Sequence, residues 1–198
     1  MHNFNDKNEL INFAKKFVVT DRIGSLVRDV NYCCLKYKPF APFPALLYCF
    51  STIDLLGALY AGNDIEHNIS AHSGRYMGKF MDYKKEQVDL LQQQFRHKIV
   101  HLAQPLGVIK YDSRSISWRY HHTTYSDHLI VMPEQGSVQV TPLRKISWDH
   151  VFHVSIPQLV EDIRISVESP TGYMAKLERE IELQENFDQA IEQIYDPA

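Results

Sequence analysis

The chain has 198 residues, of which 44% are hydrophobic and 23% are charged, and its formal net charge at pH 7 is −3. This length and composition suit one globular domain with a sizeable core. The slight negative charge excludes a global basic field that would draw the protein to nucleic acid, so any such binding would need a local patch.

The first part of the chain predicts two long helices. Apolar residues with helical spacing favour a first helix over residues 6–38, with room for a bend at Gly24. Three prolines near residue 40 end this helix and open the next one. The second helix, over residues 45–60, is apolar on nearly every side, which predicts a position in the core.

A third helical region carries the most regular pattern in the chain. Residues 64–85 are more polar and contain two glycines, which weaken the prediction of a helix there. Residues 84–103 predict a strong helix because apolar side chains recur at steps of three and four. These apolar positions are Val88, Leu91, Phe95, Ile99 and Leu102.

The periodicity changes after residue 108. Alternating apolar and polar residues predict short antiparallel strands in a meander, with a further strand after them. The expected strands are 115–121, 128–132, 137–141 and 150–154. Ser155 and Pro157 then predict the start of a helix over residues 158–166, and residues 173–195 predict a charged amphipathic helix.

These elements predict a mainly α (α+β) fold that forms a single domain over residues 1–198. We expect a helical core at 6–105, a small antiparallel sheet at 108–155 and C-terminal helices at 156–195.

The cysteines and the N-terminus indicate a cytoplasmic protein. Cys33, Cys34 and Cys49 are odd in number and lack metal-finger spacing, so we expect reduced thiols. A secretory signal has a basic segment followed by an apolar run, and the N-terminal residues do not show this pattern. Between Lys38 and Asp54 there are 15 uncharged residues, including three prolines. This run is shorter than the ~20 residues of a membrane span, so we expect a buried helix and no membrane.

The segment FRHKIVH, residues 95–101, places Arg96, His97 and His101 within two turns of the predicted third helix. At about 100° per residue, the two histidines lie about 40° apart and nearly opposite the apolar stripe. The side that they occupy has the composition of a partner surface or a semi-buried cleft. It also contains Leu90, Gln93, Gln94 and Val100.

Asp54 is the acidic residue of the apolar run STIDLLG. A carboxylate in such a setting is costly unless it is paired. We therefore expect Asp54 to face Arg96 or one of the histidines, and the alternative is a carboxylate that accepts hydrogen bonds from backbone amides.

The R-x-x-x-x-H pattern from Arg96 to His101 resembles the motif of the HEPN superfamily. A polar residue directly follows the arginine, and the pattern lies on a late helix of a helical region. The apolar STIDLLGALYAG helix is also similar to the buried second helix of bacterial HEPN-like proteins. The resemblance covers residues 6–105 and leaves the predicted strands and C-terminal helices outside it.

This resemblance implies a helical bundle that pairs as a two-fold homodimer. In active members it implies metal-independent, cofactor-free RNA cleavage by 2′-OH transesterification, and for a toxin or defence nuclease it implies a neutralising partner protein. Arg96 would then hold the scissile phosphate, and Asp54 would support Arg96. His101 would transfer the proton, and His97 would orient the partner or share the proton transfer. The expected RNA-binding lysines are Lys84, Lys85 and Lys98.

Two other interpretations remain open. Other HEPN-like proteins are non-catalytic binding modules, in which the same helix face would serve as a dimer or ligand surface. His97 and His101 also have the i, i+4 spacing of two metal ligands. Lys98 stands where the zincin pattern requires glutamate, and the sequence signals no third ligand, so we expect no metal.

The predicted strands contain further polar and aromatic residues without a recognised motif. We expect His121, His122 and His128 to decorate the turn and sheet surface. Trp118 and Tyr120 are expected to pack on the strands rather than to stack with nucleic-acid bases.

Overall fold

The computed structural model of the chain describes residues 3–38, 40–62, 67–96, 99 and 107–195. Within these residues, four helical segments precede the sheet, and two of them combine α-helical and π-helical turns. α1 covers residues 7–34, with α-helical turns at Lys7–Ala14 and Gly24–Asp29 and π-helical turns at Lys15–Ile23 and Val30–Cys34. α2 is Pro42–Ala61 and α3 is Ile69–Phe80. α4 covers residues 85–96, α-helical over Lys85–Leu90 and π-helical over Leu91–Arg96.

The polar region with two glycines does form a helix, α3, and this helix lies very close to α2. A Cβ atom added to Gly57 of α2 would lie 2.6 Å from the backbone nitrogen of Ser73 in α3. The absence of a side chain at Gly57 therefore allows the two helix backbones to approach each other. Tertiary contact with α2 outweighs the weak intrinsic helix preference of this region.

The sheet is mixed, so the prediction of an antiparallel meander is wrong. Its strands are β1 (Ile109–Tyr111), β2 (Arg114–His121), β3 (Val131–Thr141) and β4 (Arg144–Ser155), in the order β1-β2-β4-β3. β2 and β4 are parallel, and the β1–β2 and β3–β4 pairs are antiparallel. The C-terminal half of β4 is buried from Val151 to Ser155 and takes a central position, whereas β3 is the exposed edge. Strand periodicity identifies strands, but it does not specify their neighbours.

β3 runs through Pro133–Gly136, which separates the two strands predicted at 128–132 and 137–141. A register shift between Pro133 and Gly136 absorbs this segment within the strand. Gly136 lies under the ring of Trp148, because a Cβ atom there would be 2.4 Å from Trp148 Cζ2. The glycine is therefore required for ring packing rather than for a turn.

In the described part of the chain, three helices follow the sheet: α5 (Ile156–Glu168), α6 (Tyr173–Leu177) and α7 (Ile181–Tyr195). Ser155 caps α5 as predicted, since its side chain accepts a hydrogen bond from the backbone N–H of Gln158. The single helix expected over residues 173–195 is instead divided into α6 and α7.

Buried side chains from the helices and the sheet form one connected hydrophobic cluster. Phe95 of α4 lies at its centre, with ring centroids 6.4 Å from Phe50 of α2, 6.2 Å from Phe152 of β4 and 5.7 Å from Trp118 of β2. The described residues thus confirm a mainly α (α+β) fold in which α4 lies between α2 and the sheet.

Among the described residues, α2 is the one helix that is long and apolar enough to cross a membrane. In its most apolar window, 56% is buried inside the protein. Core helices of soluble proteins pass the same test, so this is weak evidence for a membrane span. Cys34 is half-buried and Cys49 is buried, and burial raises the pKa of the Cys49 thiol.

Candidate functional site

Arg96 and Asp54 form an ion pair between α4 and α2. Arg96 Nε donates to both carboxylate oxygens of Asp54 at 2.8 Å, and Nη1 donates to Ser70 Oγ of α3 at 2.8 Å. The side chains are 12% and 19% exposed, respectively. The prediction that Asp54 faces Arg96 or a histidine is confirmed, with Arg96 as the partner.

A network of polar side chains surrounds this ion pair. Gln92 of α4 donates through Nε2 to the Ser70 carbonyl oxygen at 2.6 Å and to Ser73 Oγ at 3.4 Å. The Ser73 hydroxyl group donates to the Ile69 carbonyl oxygen at 2.9 Å, and it also acts on the pKa of Asp54. The network therefore joins three helices at one point, and these helices contribute two charged and three uncharged polar side chains.

The environment of Asp54 acts on its pKa in two opposing directions. Burial raises the pKa of the carboxyl group above its usual value, while the Arg96 guanidinium and the Ser73 hydroxyl group act to lower it. The carboxylate thus depends on Arg96 to offset the cost of its desolvation.

The geometry holds the Arg96 guanidinium in one orientation. The contacts with Asp54 and Ser70 engage the N–H of Nε and one N–H of Nη1, out of the five N–H donors of an arginine side chain. An arginine fixed in this way can act as a preorganised phosphate ligand or as a structural link between helices.

The other motif residues, His97, Lys98 and His101, lie outside the described residues. The neighbouring Ile99 is helical and 3% exposed. Its burial agrees with its place in the predicted apolar stripe. The predicted roles of the two histidines and of Lys98 stay predictions.

The second face of α4 differs from the prediction. The sequence predicts Leu90 and Gln94 on the same face as the motif histidines, a face with the composition of a partner surface or semi-buried cleft. In the structure both side chains are fully buried. Gln94 Nε2 donates to the backbone oxygen of Ile116 in β2 at 3.2 Å, so the chain's own sheet covers this part of the helix. The π-helical turns at Leu91–Arg96 also shift the register from 100° per residue. Of the described residues on that face, Gln93 remains exposed.

Lys84 and Lys85 are exposed at the N-terminal end of α4. Lys85 pairs with Asp89 at 2.5 Å, and the backbone N–H of Lys84 donates to the Gln87 side chain. Arg96 lies eleven positions after Lys85 along α4, which corresponds to about 16 Å at the α-helical rise. The structure therefore does not bring these lysines together with Arg96.

The strand region contains a histidine pair that the sequence did not reveal. His121 Nε2 lies 3.0 Å from His153 Nδ1, and Tyr125 stacks on His121 with ring centroids 3.8 Å apart. Burial, and then nearby positive groups including Arg119, lower the pKa of both imidazoles. The parallel pairing of β2 with β4 creates this contact, and a sequence prediction of antiparallel strands could not find it.

His128 also has a structural environment rather than a place on the surface. Its Nδ1 accepts a hydrogen bond from the Ser155 backbone N–H at 2.9 Å, and its Nε2 lies 3.4 Å from Asp162 Oδ2. Tyr83 donates to the same carboxylate oxygen at 2.6 Å. The predicted surface role is therefore wrong for His128, whereas His121 is half-buried at the end of β2 and His122 is exposed as expected.

Trp118 and Tyr120 pack as predicted. Their rings stack with centroids 5.8 Å apart, and both meet Phe43 edge-on at 6.1 Å. These contacts confirm strand packing for the two aromatic residues.

Within the part of the chain that the structure describes, no group of three or more His, Cys, Asp or Glu side chains could hold a metal ion. The His97–His101 spacing falls outside that part. Comparison of the chain with family models, with curated proteins and with solved structures gave no significant match.

Proposed function

We propose that the chain is a HEPN-like endoribonuclease that cleaves RNA without a metal ion. The observation that carries this proposal is the fixed guanidinium of Arg96, the first residue of the R-x-x-x-x-H pattern. Its ion pair with Asp54 on the apolar α2 helix holds it at one point. Preorganised donors of this kind stabilise the charge that builds on a phosphate in the transition state.

The proposed reaction is transesterification by the ribose 2′-OH. The 2′-oxygen attacks the adjacent phosphorus, the bond to the 5′-oxygen breaks, and a 2′,3′-cyclic phosphate forms. One imidazole accepts the 2′-OH proton and another protonates the leaving 5′-oxygen. We assign the proton transfer to His101 and the orienting role to His97, and a homodimer would supply both an acid and a base.

A second candidate function is a non-catalytic HEPN-like binding protein. It is favoured by the low exposure of Arg96, 12%, and by its contacts with Asp54 and Ser70, which also suit a purely structural link. In that case the helix face beyond Gln93 would be a dimer or ligand surface. For either function we propose a cytoplasmic location, and for a toxin-type nuclease a neutralising partner protein.

The test is cleavage of 5′-labelled single-stranded and structured RNAs in excess EDTA. The variants are His101→Ala, Arg96→Lys and, as a matched control, His150→Ala. His150 lies in β4 and pairs with Asp149 at 2.7 Å, outside the motif. We expect wild type and the His150 variant to leave 2′,3′-cyclic phosphate ends, and the His101 variant to lose at least a hundredfold in rate, in line with the 10²–10⁴-fold contribution of general acid–base catalysis.

Equal cleavage by wild type and the His101 variant would reject His101 as a proton donor or acceptor. Absence of cleavage by wild type would favour the binding protein. Where wild type does cleave, the conservative variant His101→Asn separates the two roles of this residue, because an interface role should survive the change whereas proton transfer should not.

A further inference from the structure

Exposed aromatic and lysine side chains are concentrated at the C-terminal end of α1 and in the connection to α2. Tyr32 and Tyr37 are 60% and 68% exposed, which is unusual for large aromatic residues. They belong to a set that we name the aromatic–lysine patch, with members Tyr32, Lys36, Tyr37, Lys38, Phe40 and His122.

The lysines of the patch lie over its aromatic rings. Lys36 Nζ is 5.1 Å from the ring centroid of Tyr32 and 5.2 Å from that of Tyr37. Lys38 Nζ is 6.0 Å from the centroid of Phe40. These cation–π distances place a positive charge over one face of each of the three rings.

The second side of the patch comes from the end of β2. The imidazole of His122 stacks on Phe40 with centroids 4.1 Å apart and an interplanar angle of 27°. The Ala41 N–H donates to the Cys34 carbonyl oxygen at 2.8 Å. This hydrogen bond joins the start of α2 to the end of α1 beside the patch.

The local charge of this region is opposite to that of the whole chain. Residues 30–41 contain two lysines and no acidic residue, whereas the complete chain has a net charge of −3. The preceding acid, Asp29, forms an ion pair with Arg28 at 2.8 Å. The patch is thus a local basic site of the kind that a weakly acidic protein needs to bind a polyanion.

We propose that the aromatic–lysine patch binds single-stranded RNA. Unpaired bases stack on the exposed faces of Tyr32 and Tyr37, and Lys36 and Lys38 contact the neighbouring phosphates. The patch would bind with little sequence preference, because every base presents a π face. A duplex keeps its bases stacked internally, so it binds more weakly at this site.

This inference rests on the proposed RNA-cleaving function, and it adds a substrate site remote from the motif. The patch adjoins the start of α2 at Pro42, and Asp54 lies twelve residues further along the helix, or about 18 Å. A single strand anchored at the patch could therefore extend along α2 toward Arg96.

The experiment measures fluorescence anisotropy of a labelled 12-nucleotide, fully 2′-O-methylated RNA with the full-length chain at increasing salt concentration. This RNA lacks the 2′-OH nucleophile, so binding is measured without cleavage. The patch variants are Tyr37→Leu and the double variant K36Q/K38Q. The matched controls are Tyr195→Leu, which removes another tyrosine with 63% exposure, and K16Q/K145Q, which removes two exposed lysines elsewhere.

We expect Tyr37→Leu to weaken binding about tenfold, the scale of one base–aromatic stack. Removal of two phosphate contacts in K36Q/K38Q should reduce the slope of log K against log salt by about 1.4. The two controls should bind as wild type does, and a duplex of the same sequence should bind more weakly. Thermal unfolding of each variant verifies that it is folded.

Absence of binding by wild type, or equal binding by the patch variants and the controls, would overturn the inference and leave a protein-docking role for the patch. Failure of the cleavage assay does not affect this measurement, which uses uncleavable RNA. Conversely, if the chain cleaves RNA and the patch variants still bind RNA as wild type does, the proposed function stands and the proposed binding site is rejected.

Discussion

The Asp54–Arg96 ion pair should contribute strongly to stability because it links α2 to α4 in a largely desolvated position. Asp54→Leu leaves a guanidinium that is 12% exposed without its carboxylate, and Arg96→Met leaves a carboxylate that is 19% exposed without its cation. Removal of one partner of a buried pair costs about 3 kcal/mol or more. Each single substitution should therefore lower the free energy of unfolding by about 3 kcal/mol.

The double variant D54L/R96M should be little worse than either single variant, because neither charge is then left unpaired. The expected coupling energy is about 3 kcal/mol, at the upper end of the range for contacting residues. The assay is urea unfolding at pH 7 followed by circular dichroism, applied to wild type, both single variants and the double variant.

The ion pair between Lys15 and Glu178 provides a matched control. It also joins distant parts of the chain, at 2.7 Å, but its side chains are 55% and 42% exposed. Solvent screening should limit its coupling energy to about 0–1 kcal/mol. A coupling energy for Asp54–Arg96 no larger than that of the control would refute the view that desolvation makes this pair important.

Two further predictions concern the helix contact and the histidine pair. Gly57→Ala should lower the free energy of unfolding by about 2 kcal/mol, because ~3 kcal/mol of overpacking against the α3 backbone exceeds ~1 kcal/mol of gain in helix propensity. The control variant Gly24→Ala, whose Cβ would have an ordinary 3.6 Å contact, should be neutral or stabilising. Equal effects of the two substitutions in denaturant unfolding would contradict the close contact at Gly57. The pKa values of His121 and His153 are lowered from 6.5 in the folded chain, so below pH 6.5 the unfolded chain binds more protons and stability should fall as the pH decreases. His121→Gln should flatten the dependence of the unfolding midpoint on pH between 7 and 5, and an unchanged profile would show that this pair does not control it.

The sequence by itself determined those features that depend on neighbours along the chain. The period of apolar residues predicted the long helices, and Ser155 with Pro157 predicted the start of α5. The cost of a carboxylate in an apolar helix also predicted a charged partner for Asp54, and Arg96 is that partner. These predictions succeeded because helix periodicity, capping and desolvation act locally or on a single residue.

Only the tertiary structure decided which elements became neighbours. The parallel pairing of β2 with β4 brought His121 to His153, and the same sheet covered Leu90 and Gln94 on the face of α4 where a partner surface or cleft had been expected. The aromatic–lysine patch likewise became complete when the end of β2 placed His122 on Phe40. Strand order and layer packing depend on the total burial that the whole chain achieves, and a periodic pattern in one segment carries no information about that total.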